Sequence, residues 1–257
     1  RGLPLHSMPH LSLVLLGQFR ATLDGQLITN FQSDKVRALL AYLASETEPA
    51  SLRSGAETGK TYSRNGLATL FWDGYREESA RNSLRQALYH LRRALGDDDL
   101  ADESTAFLQI TRQTVEFNSN APFTSDVHRF HQLLADCATH AHPRIDECPA
   151  CLVRLQQAID LYRGEFLAGF AINDSAAFEE WRRIQQERLH IEALDALTHL
   201  TNAALKSGKY ESARKSILGQ MQLEPWREET HRQLMRVLAL LGDRSAAITQ
   251  YHACKHL

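Results

Sequence analysis

No stretch of the 257-residue chain approaches the ~20 consecutive apolar residues that cross a bilayer, and Arg1 to His10 lacks the apolar core of a secretory signal. A membrane protein is therefore not expected, and the chain is placed in the cytoplasm. Cysteine is scarce and uneven: Cys137, Cys148 and Cys151 crowd together while Cys254 stands alone, unlike a disulfide framework. Excess charge is missing too. A formal net charge of -2 offers no overall attraction to nucleic acid, so any such binding has to come from a local patch. A nucleophile–base pair is not found, and neither is an intact phosphate loop. Gly55-Ala56-Glu57-Thr58-Gly59-Lys60-Thr61 ends like one, but only Ala56, Glu57 and Thr58 separate its glycines, and the preceding Ser51-Leu52-Arg53-Ser54 is no apolar strand. Neither an enzyme nor a nucleotide site is expected.

What is present, 43% apolar and 23% charged residues, suits about two ordinary globular domains. The most informative stretch runs from Leu67 to Leu95, two helical patterns joined by a turn. In the second, Leu84, Ala87, Leu88, Leu91, Ala94 and Leu95 recur at i, i+3, i+4 and i+7 and form one apolar stripe. The opposite face of a helix over 79–95 collects Asn82, Arg85, Gln86, Tyr89 and Arg93, bordered by Ser79 and His90 on one side and Arg81 and Arg92 on the other. That face holds no carboxylate and no lysine. Arg, Asn and Gln are the side chains that pair bidentately with guanine or adenine edges in the major groove, so the pattern reads as a helix-turn-helix and not as an ordinary solvated face. Glu77 and Glu78 precede it, at the end where the helix dipole favours acids.

Around this stretch, Leu11 to Ile28 contains two strand-like runs with Asp24-Gly25 as a tight turn. Ser33 is placed to cap a helix from Asp34 to Glu46, whose Val36, Leu39, Leu40 and Leu43 face inward. Glu46 to Thr61 has linker composition and reads as an exposed, mobile insertion. After Gly96 and Asp97 to Asp99, Phe107 to Thr111 and Thr114 to Asn118 pair across Arg112-Gln113. This hairpin is a wing whose tip, Arg112 and Gln113, can touch phosphate or minor groove, with Arg112 as the candidate contact.

The order LLGQF, LDG, KVRALLAYLA, LATLFWDG, ARNSLRQALYHLRRALGD and TVEFN resembles the DNA-binding domain of the Streptomyces antibiotic regulatory protein family of transcriptional activators. The similarity continues through Asp126-Val127 and RLQQAIDLYRGEFLAGF to FEEWRRIQQERL, which looks like the family's bacterial transcriptional activator domain. The resemblance implies an OmpR-type winged helix over 1–121 and an activator domain over 122–257. It also implies double-stranded promoter DNA and RNA polymerase as partners, with homodimerisation as a further role of the helical half. The insertion, Gly66 and the Cys/His segment depart from the family pattern. The chain opens at Arg1 without Met and stops at Lys255-His256-Leu257 just after a helix, as a piece of a longer protein would, and members of the family often continue into ATPase or sensor domains.

The second half supports the same reading from its own residues. Leu205-x-x-Gly208-x-Tyr210-x-x-Ala213 and Ala239-x-x-Gly242-x-Arg244-x-x-Ala247 recur at the spacing of the tetratricopeptide period of about 34 residues. With helix patterns over Cys151 to Gly164 and Ser175 to Ser207, this predicts an all-helical, repeat-like domain. Trp181 and Trp226 are expected in packing between helices. The fold class is thus mainly α, a winged helix followed by a tetratricopeptide-like domain.

Between two of these helices, Cys137-x-x-His140 and Cys148-x-x-Cys151 can each present two ligands to one point, as structural zinc sites do, with His142 as an alternative fourth ligand. The functional expectation is a sequence-specific DNA-binding activator. The competing reading is a signalling adaptor that uses the helical repeats without DNA.

Overall fold

The computed structural model describes residues 9–48, 60–97 and 106–255. The N-terminal lead before Pro9, the centre of the insertion and Asp98 and Asp99 lie outside these residues. Two compact units emerge, one of residues 1–129 with 164–186, the other of 130–163 with 187–257.

In the first unit the chain opens with β1 (Leu11–Val14), β2 (Arg20–Leu23) and β3 (Gln26–Leu27). The β2–β3 turn is the expected one: Asp24 and Gly25 both adopt positive φ, 47° and 79°, the two-residue geometry whose twist matches that of the strands. The first apolar run is not one strand, because Leu15 and Leu16 leave β1. Their N–H groups donate to the Asp126 carboxylate at 2.9–3.0 Å. The sheet is completed by β7 (Phe123–Ser125), parallel to β1, in the order β3-β2-β1-β7.

Helix α1 (Asp34–Ser45) buries Val36, Leu39, Leu40 and Leu43 as its periodicity predicts. Ser33 occupies the N-cap position, but its side chain caps nothing. Its backbone is fully extended (φ -158°, ψ 165°), and its carbonyl, not its hydroxyl, accepts from Val36. Next come β4 (Thr61–Ser63), α2 (Arg64–Phe71), α3 (Glu77–Leu95), β5 (Leu108–Ile110) and β6 (Thr114–Phe117). Strands β5 and β6 form the expected hairpin, and β4 adds to it in the order β4-β6-β5.

The ends of the 46–61 insertion are structural, which corrects the expectation that all of Glu46 to Thr61 is an exposed, mobile insertion. Trp181 donates its indole N–H to the Glu46 carboxylate at 2.9 Å, and Lys60 pairs with the same carboxylate. Burial pushes the Glu46 carboxyl up, but Lys60 and Trp181 outweigh it and hold the group below its ordinary value. Thr61 belongs to β4 and donates to Glu116 at 2.8 Å. Lys60 and Thr61, the residues that gave the segment its phosphate-loop look, are thus both engaged in holding the fold.

Segment 164–186 packs in this first unit. The Gly17 N–H donates to the Glu165 carbonyl at 3.1 Å and the Leu167 N–H to the Leu15 carbonyl at 2.8 Å, and Phe166, Phe178 and Trp181 cluster with Tyr42 and Phe71.

The helical part contains α4 (Asp126–Thr139), α5 (Pro149–Leu161), α6 (Ala176–Lys206), α7 (Tyr210–Leu223), α8 (Glu228–Leu240) and α9 (Arg244–Lys255). The division between units falls inside α4 and α6. The repeat is real: Gly208 and Gly242 end α6 and α8 in the left-handed conformation (φ 66° and 82°), which a Cβ would penalise, and α7 and α9 start two residues later. Ala204, Ala213, Ile217, Leu234, Val237 and Leu238 form the core there. Trp226 does not. It sits in the α7–α8 turn, outside any helical stripe, and is 72% exposed, which overturns its expected packing role.

Candidate nucleic-acid interface

Helix α3 begins at Glu77, two residues before the expected start, so Glu77 and Glu78 occupy its first turn. Its burial splits as helical geometry requires. Leu84, Ala87, Leu88, Leu91, Ala94 and Leu95 are buried, with α1 and α2 as neighbours. Ser79, Arg81, Asn82, Arg85, Gln86, Tyr89 and Arg93 are exposed, while His90 and Arg92 are half-buried. The exposed face from Ser79 to Arg93 carries no carboxylate.

The first half of α3, the start of α2 and the wing tip surround one open groove of about 600 Å³. Arg64, Asn65, Arg81, Asn82, Arg85 and Arg112 line it, with no acid among its lining residues. Arg64 ties the wing to α2: its backbone N–H donates to Gln113 at 2.9 Å and its guanidinium to the Thr111 carbonyl at 3.1 Å. The wing turn is closed by the Thr111 hydroxyl, which accepts from the Gln113 and Thr114 N–H groups at 3.2 and 2.9 Å, leaving Arg112 exposed at the tip.

The arginines of α3 differ in how they are held. Arg81 donates to Asn65 at 2.9 Å and pairs with Glu77. Arg92 donates to the Asp97 carbonyl at 3.0 Å. The buried Asp97 carboxylate in turn accepts from the Phe107 and Leu108 N–H groups, both at 3.0 Å, fastening the wing to the end of α3. Arg93 lies over the Tyr89 ring at 5.8 Å. Arg85 has no hydrogen bond or ion pair among the described residues.

Arg64 and Asn65 were missed by reading the sequence, which started the second helix at Leu67. The signal was there, since Ser63 is a good N-cap residue directly before an apolar run. Its hydroxyl accepts from the Gly66 N–H at 3.0 Å. A Cβ on residue 66 would stand 3.0 Å from that hydroxyl oxygen, so Gly66 leaves room for the cap. Ser63→Ala is expected to lower unfolding stability by about 1 kcal/mol, read from the denaturation midpoint at constant slope. No change would mean that the cap is not formed in solution.

The Cys/His cluster gathers in the second unit. Cys137, in the last turns of α4, is buried, and its thiol donates to the Cys151 carbonyl at 3.6 Å. Burial and the adjacent Cys151 push the Cys137 thiol up to about 12. Cys148 is the N-cap of α5, and Cys151 lies in its first turn. Both sulfurs stand 3.5 Å from His140 Nδ1. The ligand atoms of His140, His142 and Cys151 lie within 4.8 Å of one another.

A winged helix with its wing fastened to the end of α3, followed by paired helices, defines the architecture. The chain belongs to the bacterial transcriptional activator domain family, whose model matches residues 125–257. Among solved structures it is similar to Mycobacterium tuberculosis EmbR in complex with a low affinity phosphopeptide, at 20% identity and a TM-score of 0.64. That similarity covers 96% of this chain and 59% of the other, so the chain spans about three-fifths of that relative's length. No curated protein matches. Fold and family match together agree with the expected arrangement of a winged helix followed by a bacterial transcriptional activator domain. No helix among the described residues is long and apolar enough to cross a membrane.

Proposed function

We propose that the chain is a sequence-specific DNA-binding transcriptional activator that lays α3 in the major groove. The observation that carries this reading is the groove shared by α2, α3 and the wing, which brings Arg64, Arg81, Arg85 and Arg112 together with Asn65 and Asn82 and no acid. Asn82, Arg85 and Gln86 are exposed and of the right chemistry for base edges. Arg81, Arg93 and Arg112 hold phosphates and fix register, while Ser79, Tyr89, His90 and Arg92 border the contact.

The helical unit supplies the protein contacts of an activator, to RNA polymerase or to a second copy of the chain. In support, Leu218, Trp226, Leu240, Ile248 and Tyr251 on α7–α9 and their turn are exposed apolar side chains. The adaptor reading would use these residues alone and leave the arginine groove without a role.

Binding of the full chain to fragments selected from genomic DNA, measured across salt concentrations, tests this. Activator function requires retention that weakens linearly in log salt, with a slope of about -0.9 for each phosphate neutralised. A chain that selects no sequence and shows no salt-dependent retention is an adaptor.

A further inference from the structure

One cluster of soft donors takes no part in the proposed reading of DNA. His140 Nδ1 stands 3.5 Å from Cys148 Sγ and 3.5 Å from Cys151 Sγ. A neutral imidazole nitrogen has one lone pair and accepts fully from one thiol, so two sulfurs at the same 3.5 Å from it are more than its own hydrogen bonding requires. A metal ion accounts for both. With Zn–S near 2.3 Å and Zn–N near 2.0–2.1 Å in a tetrahedron, the S···N edge is about 3.5–3.6 Å, the spacing found here twice.

His142 supplies an independent observation. Its Nε2 lies 3.1 Å from the Cys137 carbonyl oxygen, and since a carbonyl only accepts, Nε2 carries the proton. Nδ1 then presents a bare lone pair. That atom is buried and has no hydrogen-bond partner among the described residues, an arrangement that costs stability if nothing fills the lone pair. A ring with one nitrogen donating to a backbone carbonyl and the other bare is the way metal-bound histidines are oriented.

We infer that His140, His142, Cys148 and Cys151 hold one Zn²⁺ in a closed, tetrahedral, structural site that staples the α4–α5 loop to the start of α5. Two thiolates and two imidazoles suit zinc, and four protein ligands leave no open position for chemistry. Cys137 is the neighbour, not a ligand. Its thiol is turned to the Cys151 carbonyl, its own carbonyl orients His142, and its side chain packs in the core with Leu155 and Ala196. The nearby acids are otherwise engaged, Asp146 with Lys206 at 2.6 Å and Glu147 with Lys206 at 3.2 Å, which holds the loop for the ligands. This assignment replaces Cys137 by His142 in the set favoured from spacing.

The test uses the full chain, expressed with zinc and purified without chelator. Elemental analysis is expected to find about one zinc per chain, and cobalt substitution to give the visible bands of a tetrahedral site with thiolate charge transfer. Cys137→Ser keeps both signals; His142→Ala and the Cys148→Ser/Cys151→Ser double variant lose them. Alkylation of the unmutated protein guards against variants that fail to fold, with Cys148 and Cys151 protected until a chelator is added. Absence of stoichiometric metal, a Cys148–Cys151 disulfide in freshly isolated protein, or loss of metal in Cys137→Ser with retention in His142→Ala overturns the assignment.

Discussion

Arg85→Ala and Gln86→Ala are expected to weaken binding to the selected operator by about 1 to 3 kcal/mol each, roughly five- to 150-fold, while binding to random DNA barely changes. The reasoning starts from packing. Burial of Leu84, Leu88 and Leu91 fixes the rotation of α3, which leaves Asn82, Arg85 and Gln86 on its exposed side. Arg85 also lines the groove and has no ion pair or hydrogen bond to give up among the described residues, so its guanidinium is free to take two acceptors on a guanine edge. Arg112→Ala provides the contrast. It stands exposed at the wing tip, where the proposed reading gives it a phosphate contact, so its loss should weaken cognate and random DNA alike and reduce the salt slope by about 1. Competition binding at several salt concentrations separates the two signatures. Wild-type affinity and preference in both the Arg85 and Gln86 variants, at unchanged stability, would remove α3 from the role of reader.

Leu88→Ala is expected to cost about 2 to 5 kcal/mol of unfolding free energy. Leu88 is 2% exposed and lies at the centre of the stripe that α3 turns toward α1 and α2, where a lost isobutyl group leaves a cavity that a helix pinned at both sides cannot collapse. Tyr89, its immediate neighbour, is 55% exposed, and Tyr89→Ala should stay within about 0.5 kcal/mol of the parent. Denaturant titration followed by a probe in the first unit measures both. Equal effects at the two positions would mean that α3 is rotated from the orientation on which the DNA-reading face depends. Against so steep a cost, the DNA affinity of Leu88→Ala has to be measured at a temperature where the protein is folded.

Much of the fold was legible because it is written in short-range periodicity. The stripe of α3, the inward face of α1, the Asp24-Gly25 turn, the wing hairpin and the paired Gly208 and Gly242 turns each depend on residues within one or two helical turns or one hairpin. The misses share another cause. Ser33 has the right residue type for a cap, but capping also needs the hydroxyl turned to a free N–H, and the Ser33 hydroxyl accepts from none at this helix start. Glu46 and Thr61 read as linker because their partners, Trp181 and Glu116, are 135 and 55 residues away. Trp226 was assigned to packing by residue type, yet it stands on a turn beyond the reach of any stripe.

The sequence by itself determined the faces: which side of α3 is apolar, which is free of acid, and where cysteine and histidine are dense. Tertiary structure decided the company those faces keep. It added Arg64 and Asn65 to the arginine groove by bonding the start of α2 to the wing, joined 164–186 to the first unit through backbone hydrogen bonds with Leu15 and Gly17, and set His142 against the Cys137 carbonyl, within 4.8 Å of His140 and Cys151. The reason is physical. Helix and strand periods follow from local backbone geometry, whereas distant residues meet only where burying apolar surface and satisfying each buried donor and acceptor select one closed arrangement of the chain.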